Sequence, residues 1–444
     1  MIRGVALLIA VSAACHGPAD TGPDSAVEDP LGDWTALTEG YYWGADATFS
    51  GGHLSIGPVG EGETALMVGS TAASDKGGPV DIGGGRLVRA PFTGGYLNSR
   101  SITAFRSDET EGDSYGWYSF LPGDLNGDGV PDVAIPGSRS LSVFYSANTL
   151  GGDYYPSDAD LAIASEYGGW YGAIAEDADH DGRQDIISFY GIWFGPLADH
   201  EPAPDVTITA DLQWSRALTS GDPDGNGRAN LVMSDSGTVF LLNDDLPTDG
   251  TIDPSTEAMA TWEFSGIVED VLSGSDLTGD GRDDIAVAEL DSFGAPRRFR
   301  VYVLPDPAIP VAIEAPIRLE SLNGGAEGNV LASGDFDGDG NADLAVGFGG
   351  SGMVFVYRGP FAEGVFDERS ADAWLSGADG LECGGDCGAE LCCGEVDFGG
   401  FGSALAVGDL DGDGRDDLAI GQPEYGEMGR QGGRVYIAWG GGLP

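Results

Sequence analysis

Residues 409–420 read Asp409-Leu410-Asp411-Gly412-Asp413-Gly414-Arg415-Asp416-Asp417-Leu418-Ala419-Ile420, alternating aspartates that pass straight into an apolar run. The phrase recurs upstream. DLNGDGVPDVAI starts at Asp124, DADHDGRQDIIS at Asp177, DPDGNGRANLVM at Asp222, DLTGDGRDDIAV at Asp276 and DFDGDGNADLAV at Asp335. An eroded seventh copy, GPVGEGETALMVG from Gly57, keeps the glycine spacing and apolar tail without the aspartates. Repetition at intervals of about 45–75 residues marks a repeat architecture, in which one supersecondary unit packs on copies of itself.

Within a unit the pattern is β. Each acidic phrase leads into a short apolar run such as Val133-Ala134-Ile135, then a turn and an alternating run. The alternating runs are Leu141–Tyr145, Thr238–Leu242, Arg300–Leu304, Met353–Tyr357 and Arg434–Ala438. Period-two alternation of β-branched and aromatic residues between glycines is a strand signal. With 75 glycines in 444 residues, any long helix would be weakened. A chain of this length ordinarily divides into two or three domains, but seven units of four short strands each predict a single all-β fold, a seven-bladed β-propeller over residues 36–444. The last unit stops at its third strand, Val435–Trp439, so an N-terminal segment is expected to supply the fourth. Gly40–Gly44 and the neighbouring Ala47–Phe49 are the two candidates.

The aspartate spacing fits a hard cation. Calcium takes six to eight oxygens at about 2.3–2.6 Å. The form D-x-[DNT]-x-[DN]-G-x-x-[DN] offers side-chain oxygens at positions 1, 3, 5 and 9, a carbonyl at 7, and Gly at 6 for the turn. The expected ligands are Asp124, Asn126, Asp128, Val130 and Asp132 in the first loop, and Asp177, Asp179, Asp181, Arg183 and Asp185 in the second. Next come Asp222, Asp224, Asn226, Arg228 and Asn230, then Asp276, Thr278, Asp280, Arg282 and Asp284. The last two sets are Asp335, Asp337, Asp339, Asn341 and Asp343, and Asp409, Asp411, Asp413, Arg415 and Asp417. An EF-hand would need Glu at position 12 and a flanking helix; position 12 is Ile135, Ser188, Met233, Val287, Val346 or Ile420, and a strand follows. A solvated Asp-Gly turn is the competing reading of any one copy, and six copies with the same offsets favour the cage. The Asp177, Asp335 and Asp409 loops carry four aspartates each and should bind best, the Asp222 loop least, and the Gly57 copy not at all. Up to six Ca2+ ions are expected, in a structural role. At about 1 mM calcium a site of about 0.1 mM affinity adds about 1.4 kcal/mol.

These units resemble the FG-GAP (VCBS-type) repeat of the integrin α-subunit N-terminal propeller. The last copy carries the likeness most fully: Phe401-Gly402-Ser403, Asp409 to Asp417, Leu418 to Pro423, then Gly433-Arg434-Val435-Tyr436. Gly421-Gln422-Pro423 stands where that family has Gly-Ala-Pro, and Tyr115-Gly116 takes the Phe-Gly part in the second unit. The resemblance implies a seven-bladed propeller with calcium loops on one rim and partner-binding loops on the opposite face. It does not imply an integrin, whose legs, membrane helix and metal-dependent adhesion domain have no counterpart among these residues.

Charge and cysteines bound the setting. With 73 acidic against 20 basic side chains the net charge is −53, and Lys76 is the one lysine. Phosphate surfaces repel such a chain, which argues against nucleic acid or direct contact with anionic membranes. Residues 1–15, MIRGVALLIAVSAAC, have one Arg, an apolar run and small residues before Cys15, the pattern of an export signal. Ser12-Ala13-Ala14-Cys15 resembles a bacterial lipoprotein site with Cys15 lipidated. Ser12 departs from the usual aliphatic residue, and ordinary cleavage is the alternative. Residues 16–35 read as an acidic disordered linker. The expected location is lipid-anchored at the outer membrane or cell surface, otherwise periplasmic or secreted, with the membrane touched only through the lipid. Cys383, Cys387, Cys392 and Cys393 read as two disulfides of open pairing. A four-thiolate zinc site competes, and the adjacent Cys392 and Cys393 suit it poorly.

For function, the leading expectation is a surface-anchored binding or adhesion scaffold with a protein or glycan ligand on the face opposite the calcium loops. Candidate contact residues are Trp117, Tyr118, Tyr154, Tyr155, Trp170, Tyr171, Trp193 and Trp214, against the alternative that they fill the wedges between blades. A carbohydrate-binding lectin is the nearest alternative, and a polysaccharide-acting enzyme a more distant one. The chain is not expected to be an enzyme. His16, His53, His180 and His200 are scattered, which gives Ser-His-Asp or zinc chemistry little to work with.

Overall fold

The computed structural model describes residues 42–43, 48–72, 84–92, 95–96, 103–107, 115–116, 118–137, 140–164, 170, 172–197, 203–209, 217–291, 298–304, 317–320, 329–376, 400–423, 426–427, 430–431 and 433–441. The expected export signal with Cys15, the expected linker over residues 16–35 and the four clustered cysteines lie outside them. Each repeat forms one antiparallel sheet, and seven such blades follow one another along the chain. Blade 6 shows the plan: Asn329–Gly334, Asp343–Phe348, Met353–Tyr357 and Ala373–Ser376 pair in sequence order, with Leu344 opposite Tyr357 and Val354 opposite Leu375.

The first strands form the hub. They are Thr48–Gly60, Phe120–Gly123, Ile174–Glu176, Leu218–Gly221, Ile267–Ser275, Asn329–Gly334 and Ala404–Gly408, and each touches the first strands on either side in an unbroken ring. Second strands such as Asp343–Phe348 and Asp417–Gln422 are buried at every residue, because each blade is covered on both faces. That explains why their sequences run continuously apolar rather than alternating.

Seven apolar clusters fill the seven seams between blades. Phe299 and Val301 of blade 5, for example, meet Val346 and Phe355 of blade 6. Leu54, Leu66 and Val68 of blade 1 meet Ala419, Val435 and Ile437 of blade 7. Each such side chain contributes about 1.5–3 kcal/mol on burial, so the seams carry the stability.

The ring closes with the first of the two predicted segments. Tyr42–Trp43 pairs antiparallel with the third strand of blade 7, Tyr42 opposite Val435 and Trp43 opposite Arg434. Thr48 and Phe49 instead begin the first strand of blade 1. A feature absent from the sequence reading reinforces closure: Gly95–Tyr96 of blade 1 adds a parallel strand outside Tyr42–Trp43. The same device recurs where Asp153–Tyr154, Gly250–Ile252 and Gly364–Phe366 reach back from blades 2, 4 and 6 to cover the outer edges of blades 1, 3 and 5. Covering an edge satisfies backbone groups that would otherwise template aggregation.

Since every first strand points the same way, connections from first to second strand gather at one end of the ring. Turns from second to third strand, and links between blades, gather at the other. All six acidic loops therefore share one rim. In blade 1 the corresponding connection is a two-residue turn, Glu61-Gly62 at φ +54° and +79°, between paired Gly60 and Glu63.

Candidate metal centres in the acidic loops

The first aspartate of each loop organises the curl. Asp409 Oδ1 accepts the amides of Gly412 and Asp413 at 2.7 and 3.1 Å, and its Oδ2 accepts that of Gly414 at 3.0 Å. The position-1 carboxylate takes the position-6 amide in all six loops, at 2.7–3.0 Å. Positions 3 and 5 then fold onto the amides two residues ahead, as with Asp411 on Asp413 and Asp413 on Arg415 at 3.0 and 2.9 Å. The aspartates thus shape the loop by accepting amides at its centre.

Gly at position 6 adopts the left-handed conformation the turn requires, as at Gly414 with φ +87°. Position 4 does so too, which the sequence reading did not weigh. It is Gly in five loops and His180 at φ +62° in the sixth. The His180 ring leans across the seam, its Nε2 3.1 Å from the carbonyl of Asp244 in blade 4.

Position 9 is a buried staple. Asp132, Asp185, Asp284, Asp343 and Asp417 begin the second strands and are at most 1% exposed. Asp417 accepts Leu410 N–H on one oxygen and Gly440 N–H on the other, at 2.8 and 2.7 Å. Asp132, Asp185 and Asp343 likewise tie the second loop residue to the chain just past the third strand. In blade 5, Thr278 donates both its amide and its hydroxyl to Asp284, so that hydroxyl is turned to the staple. Burial pushes these carboxyls up, to about 7 for Asp185 and about 6 for the other four. Neighbouring loop carboxylates add to the rise, and the amide bonds oppose it.

Three loops bring carboxylate oxygens within 4.8 Å of one another: Asp177, Asp179 and Asp185; Asp335, Asp337 and Asp339; Asp409, Asp411 and Asp417. They are the three loops with aspartate at all four side-chain positions. The donor set is all oxygen and strongly anionic, which suits a hard divalent cation. Asp177 Oδ1 is moreover buried with no hydrogen-bond partner, an acceptor the loop itself leaves open. The residues present fit calcium.

The loops also join blades. Asp283 at position 8 in blade 5 accepts the amide of Asp222 in blade 4 at 2.7 Å, and Asp416 of blade 7 accepts that of Asp335 in blade 6 at 2.9 Å. The doubled aspartates of Arg282-Asp283-Asp284 and Arg415-Asp416-Asp417 were the available signal, because only one of each pair faces its own loop. Leu125, Leu277 and Phe336 carbonyls accept amides of Leu197, Phe361 and Gly441 from the following blade.

Several predicted contact aromatics are core. Trp170 and Trp193 are 3% and 4% exposed and pack ring to ring at 4.5 Å in the seam of blades 2 and 3. Tyr154 packs on Phe105 and Phe144. Tyr118 lies against His53 at 5.0 Å, and burial lowers that imidazole to about 4. Tyr155 is exposed on the loop-side end, and Trp117, Tyr171 and Trp214 lie outside the described residues. An exposed aromatic at the opposite end is Tyr190, between the second and third strands of blade 3.

Comparison with known proteins finds a repeat of this kind in three stretches of the chain. Residues 328–357 and 401–437 match the FG-GAP repeat, and residues 124–188 an FG-GAP-like repeat. The chain is similar to integrin alpha-PS5 of Drosophila melanogaster, 35% identical over 154 residues, which is 33% of this chain and 14% of that protein. A solved structure described as BBS1N in complex with ARL6DN, soaked with mercury, aligns with a TM-score of 0.44 at 9% identity, covering 90% of this chain and 99% of the other.

Proposed function

We propose, for an FG-GAP repeat protein that resembles the integrin α propeller, an exported binding scaffold whose acidic rim holds calcium and whose opposite end takes a protein or glycan ligand. The observation that supports this reading is where the acidic loops lie. Six acidic loops share one rim and are stapled into the seams, which leaves the other end to contact. Calcium, when bound, supplies positive charge among carboxylates that otherwise repel one another. The chain's own part is to pre-curl the loops through Asp-to-amide bonds and to hold the position-9 aspartates at the strand ends. Binding rather than turnover fits the described histidines, since His53 packs on Tyr118 and His180 bridges two blades. Cys15, once lipidated, would tether the ring to a membrane through residues 16–35.

The test is capture of cell-envelope proteins and of arrayed glycans by wild type and Tyr190→Ala, each with calcium and with chelator. The reading expects capture to fall in Tyr190→Ala and in chelator, and the class of molecule retained separates adhesion from lectin activity. Undiminished capture in both conditions would refute it.

A further inference from the structure

Blade 4 departs from the other loops at several positions, and the departures fit one another. In blades 2, 3, 6 and 7 the position-9 carboxylate is held by the amide of the second loop residue, Leu125, Ala178, Phe336 or Leu410. The second residue of the blade-4 loop is Pro223, which has no amide proton to give. A carboxylate at position 9 would be buried there without that donor, at high cost. The residue is instead neutral Asn230, fully buried, with Nδ2 donating to the Leu242 carbonyl at 3.1 Å. Its Oδ1 has no partner, like Asp177 Oδ1, but it is an uncharged amide oxygen that is far cheaper to leave open than a carboxylate.

Position 5 changes with it. The Oδ1 of Asn226 accepts the Arg228 amide at 2.9 Å, the bond that Asp181, Asp280 and Asp413 make in their own loops. That shared bond fixes which way the amide faces. Its Nδ2 then donates to Asp224 Oδ2 at 3.0 Å and to Asp244 Oδ2 at 3.2 Å. Asp244 comes from just past the third strand, the place taken by Ser146, Gly195, Gly359 and Gly440 in other blades. Its side chain is 11% exposed and lies 3.7 Å from the Arg228 guanidinium.

We infer that the blade-4 loop closes without a cation. Asn226 and Asn230 make it two carboxylates poorer than the all-aspartate loops, and the Asn226 amide gives Asp224 and Asp244 a shared donor in the cation's place. The arginines beside other loops only pair with carboxylates from outside the cage. The inference rests on the calcium reading of the other five loops. It makes blade 4 the unit that stays latched when calcium is withdrawn. The latch reaches both neighbours, through the His180 contact with blade 3 and the Asp222–Asp283 bond with blade 5.

The test is calcium bound per full-length chain, by equilibrium dialysis with elemental analysis. Asp224→Ala should bind as many ions as wild type, and Asn226→Asp, which exchanges the donor for a carboxylate, one more. A lost ion in Asp224→Ala, or an unchanged count in Asn226→Asp, would overturn the inference. Asp411→Ala reports separately on the calcium reading, since it should lose one ion. If it does not, that reading fails at blade 7 while the Asn226→Asp count still decides blade 4. Melting gives a second readout: Asp244→Ala should lower the unfolding temperature equally with calcium and with chelator. A decrease seen only with calcium would make Asp244 a ligand and overturn the latch.

Discussion

Replacing Asp343 with alanine separates the staple from the cation. Its two oxygens accept Phe336 N–H at 3.1 Å and Gly359 N–H at 3.0 Å, and the residue is 1% exposed. Each buried amide left without an acceptor costs about 1–3 kcal/mol, so two cost about 2–6. Burial pushes the Asp343 carboxyl up to about 6, which works against its ionised form at pH 7.5. The lower part of that range, about 2–4 kcal/mol, is therefore expected. A propeller of about 400 residues unfolds with roughly 0.8 kcal/mol/K of entropy, so the midpoint should fall by about 2–5 °C. The assay is calorimetric melting of wild type and Asp343→Ala in excess chelator, where no ion contributes to either protein. Equal midpoints in chelator would refute the staple and leave Asp343 a metal ligand only.

Two further outcomes follow from the same structure. In chelator, stability should decline as pH rises from about 4 to 7 and level off above. The staple carboxyls, raised by burial to about 6 or 7, keep protons that an unfolded aspartate near 3.8 has released in that interval. Melts at pH 5 and 7.5 check the sign, and a higher midpoint at pH 7.5 would contradict it. Deleting residues 1–46 removes Tyr42–Trp43 and the support for Gly95–Tyr96, so the midpoint should drop by several degrees; an unchanged melt would dispose of this closure.

Much of the fold was legible because the repeat carries it. Glycine-bounded alternation located the strands, and the truncated last unit pointed to two N-terminal segments, of which the one containing Tyr42–Trp43 closes the ring. The parallel edge strands Gly250–Ile252 and Gly364–Phe366 were not legible. Two or three residues have no local period, and their pairing depends on a neighbouring blade's open edge. The loops were readable as oxygen-rich turns, and the three all-aspartate loops are the ones whose carboxylates converge. Spacing could not divide the labour within a loop, because Asp416 and Asp417 look alike in sequence while one reaches back to blade 6 and the other holds its own turn. Trp170 and Trp193 follow the wedge-filling alternative: aromatic type alone fits a contact residue or a seam filler, and adjacent blades need large side chains between them.

On the reading proposed above, cations seated in the acidic rim stiffen this ring. Calorimetric melting of metal-stripped protein across a calcium titration addresses it most directly. The midpoint should climb with calcium, each of the five cation-binding loops contributing about 1.4 kcal/mol at ten times its dissociation constant. A midpoint that stays fixed from chelator to millimolar calcium would contradict it.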